Sequence, residues 1–230
     1  MAYGAKILYA SAQKSSSSGT PILYYWPARG RGEQIRLIFA EAGVDFVDDT
    51  FDMTSAEARE AFFARCRTLG KNLTTNIPMV FIDGQYLSQS LAVVKYLARK
   101  YGLYPTDAKG AYIVDNLIEH ANDLRSANYK PMTMFGATEA DKENYRAKLP
   151  THLSNLERLL GGQEYFCGAS LCVADLNIYD AVDVAQRQIP FVLDEFPKLK
   201  AFHARVEARP NIARWIASEQ RAKLFAFPPI

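Results

Sequence analysis

The order of the strand and helix signals constrains the fold of this chain more than any other feature. Between residues 20 and 101, short apolar stretches that predict strands alternate with amphipathic stretches that predict helices, in the order strand, helix, strand, helix, hairpin, helix. Such alternation predicts an α/β layer in which helices cover both faces of a sheet. Beyond residue 110 the pattern predicts helices alone. The fold class is therefore α/β, followed by an all-helical C-terminal domain.

Local signals divide the first half into elements. Strand signals occupy residues 21–26, 44–51, 79–82 and 85–87, and helix signals occupy residues 33–42, 54–69 and 91–101. Gly43 is placed to end the first helix, and Thr54 with Glu57 forms a capping box that predicts the start of the second. Asp83-Gly84 lies between two apolar runs and predicts a two-residue hairpin turn.

The second half contains five helix signals, at residues 111–130, 139–160, 173–188, 198–208 and 211–219. We therefore predict a first domain at residues 20–101, a linker at 102–110 and a helical domain at 111–230. The first twenty residues differ from the rest, because four consecutive serines precede Gly19. We interpret residues 1–19 as a flexible extension, and the sequence leaves open whether it is native, cleaved or added.

Charge and cysteine content exclude several classes of protein. Lys and Arg total 27 against 25 for Asp and Glu, a net charge of +2 that predicts neither nucleic acid nor a membrane surface as partner. No apolar run approaches the length of a membrane span. The three cysteines lack CxxC spacing, which predicts no metal site and no disulfide framework. A reducing, cytoplasmic location is expected.

Three motifs of the first domain combine into a resemblance. Tyr25-Trp-Pro-Ala-Arg29-Gly30-Arg31 joins the first strand to the first helix, Asn76-Ile77-Pro78 precedes an apolar strand, and Gln89-Ser90 begins the third helix. In this order, and followed by a helical domain, they resemble the cytosolic glutathione transferases. The similarity is greatest to the tyrosine-type sigma class, which includes haematopoietic prostaglandin D synthase and the lens S-crystallins.

The resemblance covers about residues 21–219. In the helical half it is carried by the segments at residues 149–153, 160–164, 168–170, 174–175, 197–199 and 210–216. It implies a thioredoxin-like N-terminal domain that binds glutathione as co-substrate, with no prosthetic group. It also implies that the helical domain supplies the second-substrate site and the contacts of a homodimer.

Residue chemistry indicates how such a chain would act. Glutathione attacks as a thiolate, which is scarce at neutral pH because a free thiol has a pKa of about 8.5. A Tyr hydroxyl donates a hydrogen bond to the thiolate and so lowers the thiol pKa. The resemblance assigns this role to Tyr25 rather than to Tyr24, which should point to the opposite face of the strand. Arg31 corresponds to an Arg that lies near the sulfur in alpha and sigma proteins.

The remaining glutathione contacts are also implied by the resemblance. Asn76 and Ile77 would hold the cysteinyl backbone, a geometry that requires a cis peptide at Pro78. Gln89 and Ser90 would hold the γ-glutamyl carboxylate at a helix N-terminus.

Three further assignments are less direct. Arg67 would bind the glycyl carboxylate, and Phe63 stands in place of a Trp, although residues 65–75 could contain an insertion. Asp123 aligns with an Asp that reaches the γ-glutamyl ammonium bound in the neighbouring subunit.

Two other groups of residues complete the predictions. The electrophile would contact Tyr24, Arg125, Asn128 and Tyr129. Cys172 stands where the family places Ser or Thr at the start of its core helix, with Asp175 three residues on. We expect Asp175 to be buried and to serve folding rather than catalysis.

Three functions fit this pattern. The first is conjugation of glutathione to small hydrophobic electrophiles. The second is a non-catalytic binding or structural role like that of the S-crystallins, and the third is glutathione-dependent isomerisation of a prostaglandin endoperoxide. A cysteine-type thiol transferase is disfavoured because no cysteine lies near residue 25.

Overall fold

The computed structural model describes residues 19–69 and 76–230. The predicted extension therefore lies outside the described residues, except for Gly19. Residues 70–75, which belong to the segment with the possible insertion at 65–75, also lie outside them. The described chain forms two compact units. One contains residues 19–69, 76–102 and 210–226, and the other contains residues 103–209 and 227–230. Within the described residues, no helix is long and apolar enough to cross a bilayer.

The first unit is built on a mixed sheet of four strands in the order β2-β1-β3-β4. The strands are β1 (Ile22–Tyr24), β2 (Val47–Asp49), β3 (Met79–Ile82) and β4 (Gln85–Leu87). β1 runs parallel to β2 and antiparallel to β3, and β3 runs antiparallel to β4. The helices of this part are α1 (Gly30–Glu41), α2 (Ala56–Thr68) and α3 (Ser90–Lys100). This is the mixed sheet with helices that the sequence predicts.

Most local signals are confirmed, and one is wrong. Asp83 and Gly84 both have positive φ, 53° and 73°, in the tight turn between β3 and β4. The N-cap of α2, however, is Ser55 rather than Thr54, since the Ser55 hydroxyl accepts a hydrogen bond from the Ala58 N–H at 3.1 Å. The hydroxyl and N–H of Thr54 both donate to Asp52 Oδ1, at 2.7 and 2.8 Å. Because of this local turn, α2 begins one residue later than the capping box at Thr54 predicts.

Two C-terminal helices pack with the sheet unit. They are α8 (Pro210–Ile216) and α9 (Glu219–Ala222). The Glu33 carboxylate of α1 accepts hydrogen bonds from Trp215 Nε1 at 3.0 Å and from Arg221 Nε at 2.7 Å. These charge-assisted bonds join α1 to two residues that lie about 180 positions later in the sequence.

The second unit is helical. Its helices are α4 (Ala108–Tyr129), α5 (Glu139–Leu160), α6 (Val173–Gln188) and α7 (Pro197–Glu207), and two short 3-10 turns lie at Thr133–Phe135 and Val192–Glu195. Almost every residue of α6 is buried, so this helix forms the centre of the unit. The predicted helix ranges agree with the observed bounds to within a few residues.

The N-terminus of α6 is held by a buried carboxylate. Asp175 has no solvent exposure, and its two oxygens accept hydrogen bonds from the N–H groups of Phe166 and Cys172, both at 2.8 Å. The expectation that Asp175 is buried is therefore confirmed. Burial raises the pKa of Asp175 to about 6, although the two N–H donors act in the opposite direction. The Cys172 sulfur completes the capping box by accepting from the Asp175 N–H.

Asp175→Ala should lower the free energy of unfolding by about 3 kcal/mol, because it leaves two buried N–H donors without an acceptor. Urea denaturation followed by circular dichroism measures this loss. Asp141→Ala is the matched control, since Asp141 caps α5 in the same way but is exposed. The control should cost about 1 kcal/mol at most. Equal losses in the two variants would contradict the role given to burial.

Candidate active site

The Tyr25 hydroxyl lies at the N-terminus of α1. Its oxygen accepts a hydrogen bond from the Arg31 N–H at 2.9 Å, while the Tyr25 N–H donates to the Asp49 carbonyl at 3.2 Å. The side chain is 8% exposed. Because helix N-termini carry partial positive charge, this position favours negative charge near the phenol. A phenol oxygen that accepts from N–H also becomes a stronger O–H donor.

A glycine allows the ring to pack this closely on the helix. A Cβ built at Gly32 would lie 2.5 Å from Cδ1 of Tyr25, closer than real Cβ atoms come to any non-bonded atom, and 3.0 Å from its Cγ. Gly32 therefore lets the Tyr25 ring lie against the first turn of α1. Gly32 was not among the predicted site residues, although its place directly after the Arg29-Gly30-Arg31 motif was a usable signal.

The loop between β1 and α1 is fixed by a fully buried arginine. Arg36 has no exposure and makes two hydrogen bonds to the Asp48 carboxylate, at 2.8 and 3.1 Å. The same guanidinium donates to the carbonyls of Ala28 at 2.9 Å and Arg29 at 3.3 Å, and it lies 5.8 Å from the Tyr25 ring centroid. Arg36 thereby holds the loop that follows Tyr25.

Further charges surround that arginine. Glu33 lies 3.6 Å from the Arg36 guanidinium and 2.7 Å from that of Arg221. Burial raises the pKa of Asp48, and the Arg36 guanidinium opposes this rise. A buried charge that loses its partner is strongly destabilising, so the four groups depend on one another. This network was not predicted, because its members are far apart in the chain and the only local signal was the charge of Arg36 within an apolar helix.

The segment before β3 lies at the same sheet edge as Tyr25. The ladder between β1 and β3 ends at the pair Tyr24 and Met79, so the next residues along the two chains are Tyr25 and Pro78. The Ile77–Pro78 peptide bond is cis, as the resemblance implies. Asn76 is exposed and Ile77 is half-buried. A partly exposed, irregular backbone segment thus lies next to Tyr25 at the end of the β1–β3 ladder.

Gln89 and Ser90 form the start of α3. Gln89 is exposed and has φ 67°, a left-handed conformation that is strained for any residue other than glycine. Ser90 is the first residue of the helix and is 8% exposed. N–H groups in the first turn of a helix have no acceptor within the helix, which suits them to bind a carboxylate.

Phe63 and Arg67 lie on α2, where they line a groove of about 800 Å³ together with Trp26. The rings of Phe63 and Trp26 pack edge to face with centroids 5.4 Å apart. The other lining residues are Glu57, Arg59, Glu60, Ala61 and Ala64. The structure therefore brings Phe63 and Arg67, two predicted residues of one site, into one groove. Trp26, the residue after Tyr25, also lines this groove and was not predicted.

Tyr24 and Tyr129, two of the predicted electrophile contacts, lie in aromatic clusters. Tyr24 is 5% exposed and packs with Phe62 and Tyr86. Tyr129, in the helical unit, is half-buried and packs on Phe227 with ring centroids 5.3 Å apart.

The other two predicted electrophile contacts hold α4 to α6. Arg125 is 3% exposed and forms a 2.8 Å ion pair with Asp180. Asn128 is 1% exposed and donates to the Ala181 carbonyl at 2.8 Å. In the structure both side chains serve the interior of the helical unit.

Asp123 is exposed on α4, near His152. Burial lowers the pKa of His152, and the Asp123 carboxylate opposes this effect. The proposed contact of Asp123 with a neighbouring subunit stays a prediction.

Comparison with known proteins gives the family. A family model described as the glutathione S-transferase N-terminal domain matches residues 21–99, and one described as the C-terminal domain matches residues 122–219. Rat glutathione S-transferase alpha-5 is 33% identical over 211 residues, which cover 90% of this chain and 93% of that protein. Bovine glutathione S-transferase P is 34% identical over 203 residues, 86% of this chain and 92% of that protein.

A solved structure agrees with these sequences. The pi-class glutathione S-transferase of Onchocerca volvulus superposes with a TM-score of 0.77 and 26% identity, covering 90% of this chain and 96% of that one. The predicted fold, a thioredoxin-like first domain followed by a helical domain, is confirmed. With its two domain matches and relatives that align over almost their full length, the chain belongs to the cytosolic glutathione S-transferase family of enzymes.

Proposed function

We propose that this transferase activates the thiol of glutathione through the Tyr25 hydroxyl and transfers the sulfur to small hydrophobic electrophiles. Proteins of its family use glutathione as co-substrate. The observation that carries the proposal is the 2.9 Å hydrogen bond from the Arg31 N–H to the Tyr25 oxygen at the start of α1. It directs the phenol and a helix N-terminus toward the same point.

The interaction free energies at Tyr25 and the N-terminus of α1 are large enough to stabilise the thiolate. Lowering the thiol pKa by two units requires about 2.7 kcal/mol of preference for the thiolate. A hydrogen bond to a charged group contributes about 1.5–3 kcal/mol, and a helix N-terminus adds about 0.3–1 kcal/mol. The phenol and α1 together therefore supply most of the shift, and the Arg31 side chain is a candidate for the remainder.

The chemical step needs little else from the protein. The glutathione thiol loses its proton to solvent, and its thiolate accepts the Tyr25 O–H bond. The sulfur lone pair then forms a bond to an electrophilic carbon, while the leaving group departs with the electrons of its own bond. Tyr25 keeps its proton throughout, because a phenol of pKa about 10 is a donor rather than an acid at neutral pH.

Exposed backbone and helix termini would position the tripeptide. Asn76 and Ile77 are placed to pair with the cysteinyl backbone beside Tyr25, and Gln89 with Ser90 is placed to hold the γ-glutamyl carboxylate. Arg67 offers a cation in the groove that also contains Phe63, which suits the glycyl carboxylate. The pairing of exposed backbone, a helix N-terminus and a cation with the amide and carboxylate groups of the tripeptide supports the proposal.

Several finer assignments remain proposals. These are the sigma class, the homodimer with Asp123 reaching the neighbouring site, and the electrophile contacts made by Tyr24 and Tyr129; Arg125 and Asn128 are buried in the helical unit and are no longer assigned to the electrophile. Product analysis with a prostaglandin endoperoxide distinguishes an isomerase from a general conjugating enzyme. Retention on immobilised glutathione without turnover of any electrophile would favour the S-crystallin-like alternative.

Tyr25→Phe should lower kcat/KM for chlorodinitrobenzene by about tenfold to a thousandfold at pH 6.5, because it removes the donor to the thiolate. Tyr96→Phe is the matched control, since it removes a phenol of the same unit that donates to Asp83 at 2.9 Å. The control should keep full activity. A loss in Tyr24→Phe instead of Tyr25→Phe would show that the wrong tyrosine was assigned.

Gly32→Ala should displace the Tyr25 ring and lower kcat/KM by about tenfold to a hundredfold. It should also lower the free energy of unfolding by about 1–3 kcal/mol through overpacking. Steady-state kinetics and urea denaturation measure both effects. Gly162→Ala is the control, because no atom lies within 4 Å of a Cβ built there. Unchanged kinetics in Gly32→Ala would show that the ring position is not critical.

Gln89→Gly and Gln89→Ala should both raise the KM for glutathione, by about fivefold, because each loses the side-chain amide. The glycine variant should be the more stable of the two by about 1 kcal/mol, since only glycine adopts φ 67° without strain. Steady-state kinetics at varied glutathione concentration measure the KM, and thermal unfolding measures the stability difference between the two variants. Equal stability would remove the strain argument, and an unchanged KM would remove Gln89 from the site.

A further inference from the structure

Two buried thiols lie almost in bonding contact at the entrance to α6. The sulfur atoms of Cys167 and Cys172 are 2.8 Å apart, which is about 0.8 Å longer than a covalent S–S bond. Cys167 is 6% exposed and Cys172 is fully buried. The third cysteine, Cys66, belongs to the other compact unit. The glutathione chemistry proposed above uses none of these thiols.

The backbone on both sides of the pair is held in place. Tyr165 and Gly168 exchange two N–H to carbonyl hydrogen bonds of 3.0 Å, which close the turn that carries Cys167. The Asp175 carboxylate binds the N–H of Phe166, the residue before Cys167, and also the N–H of Cys172. One buried carboxylate thus anchors the chain beside both sulfurs, so a bond between them requires little movement.

We propose that Cys167 and Cys172 form a reversible thiol–disulfide site that is oxidised by small hydroperoxides. The Cys167 sulfur attacks a peroxide oxygen, the O–O bond breaks, and water or an alcohol leaves, which gives a sulfenic acid at Cys167. The Cys172 sulfur then attacks that sulfur, the S–O bond breaks, and the hydroxyl leaves as water with the Cys172 proton. Two thiols are oxidised to one disulfide, and the peroxide is reduced.

The order of attack follows from exposure. Cys167 is the more accessible sulfur, and only a small oxidant can reach it. Burial raises the pKa of the Cys172 thiol far above its usual value, so this residue reacts second and slowly. A small thiol such as glutathione reverses the reaction, because two of its molecules donate the electrons and leave as glutathione disulfide.

The test uses the folded full-length chain, freed of glutathione and treated with hydrogen peroxide. The protein is then denatured, alkylated and digested with trypsin. Both cysteines fall in one peptide, residues 159–187, because no Lys or Arg lies between them. We expect alkylation to decrease from three thiols to one, with this peptide unalkylated and lighter by two hydrogens. In a parallel sample, the oxidised, folded protein is incubated with glutathione before it is denatured, and alkylation should then occur at all three cysteines.

Single-site variants provide the controls. Cys66→Ser should still form the bond, whereas Cys172→Ser should not, and the latter should fold well because Ser is a strong N-cap residue. Oxidation of Cys66 while the pair stays reduced would overturn the proposal. Sulfinic acid at Cys167 with Cys172 still alkylated, or a disulfide between two chains, would overturn it as well.

Discussion

The site depends on one buried guanidinium. Arg36 has no access to water, so its donors must be satisfied inside the protein, by Asp48 and by the carbonyls of the loop that follows β1. These bonds hold the loop in the arrangement in which the Tyr25 hydroxyl meets the N-terminus of α1. The burial of Arg36, about two turns along α1, therefore determines the position of the phenol as much as the packing of Tyr25 itself does.

Local sequence patterns predicted the elements of the fold well. The hairpin at Asp83-Gly84 and the buried carboxylate of Asp175 follow from turn and cap chemistry, which acts over a few residues. The cap of α2 was assigned one residue early, because Thr54 and Ser55 are both capping residues and only the competing bonds to Asp52 decide between them.

Long-range partners were not visible in the sequence. The ion pair of Arg125 with Asp180 joins residues 55 positions apart, and the bond from Arg221 to Glu33 spans 188. No periodicity encodes such pairings, so Arg125 was interpreted as a substrate contact and Arg36 was not singled out. The family motifs singled out Tyr25, whose hydroxyl lies beside a helix N-terminus, but the reason for its position lies in these pairings.

The central claim is that the Tyr25 hydroxyl stabilises a thiolate, and the thiol pKa of bound glutathione tests it most directly. Ultraviolet difference spectra of the binary complex against the free enzyme at the same pH, recorded across pH 5 to 9, report formation of the thiolate. We predict a thiol pKa about two units below the value of about 8.5 for a free thiol, and a return to within about half a unit of that value in Tyr25→Phe. The same depressed pKa in both proteins would contradict the account.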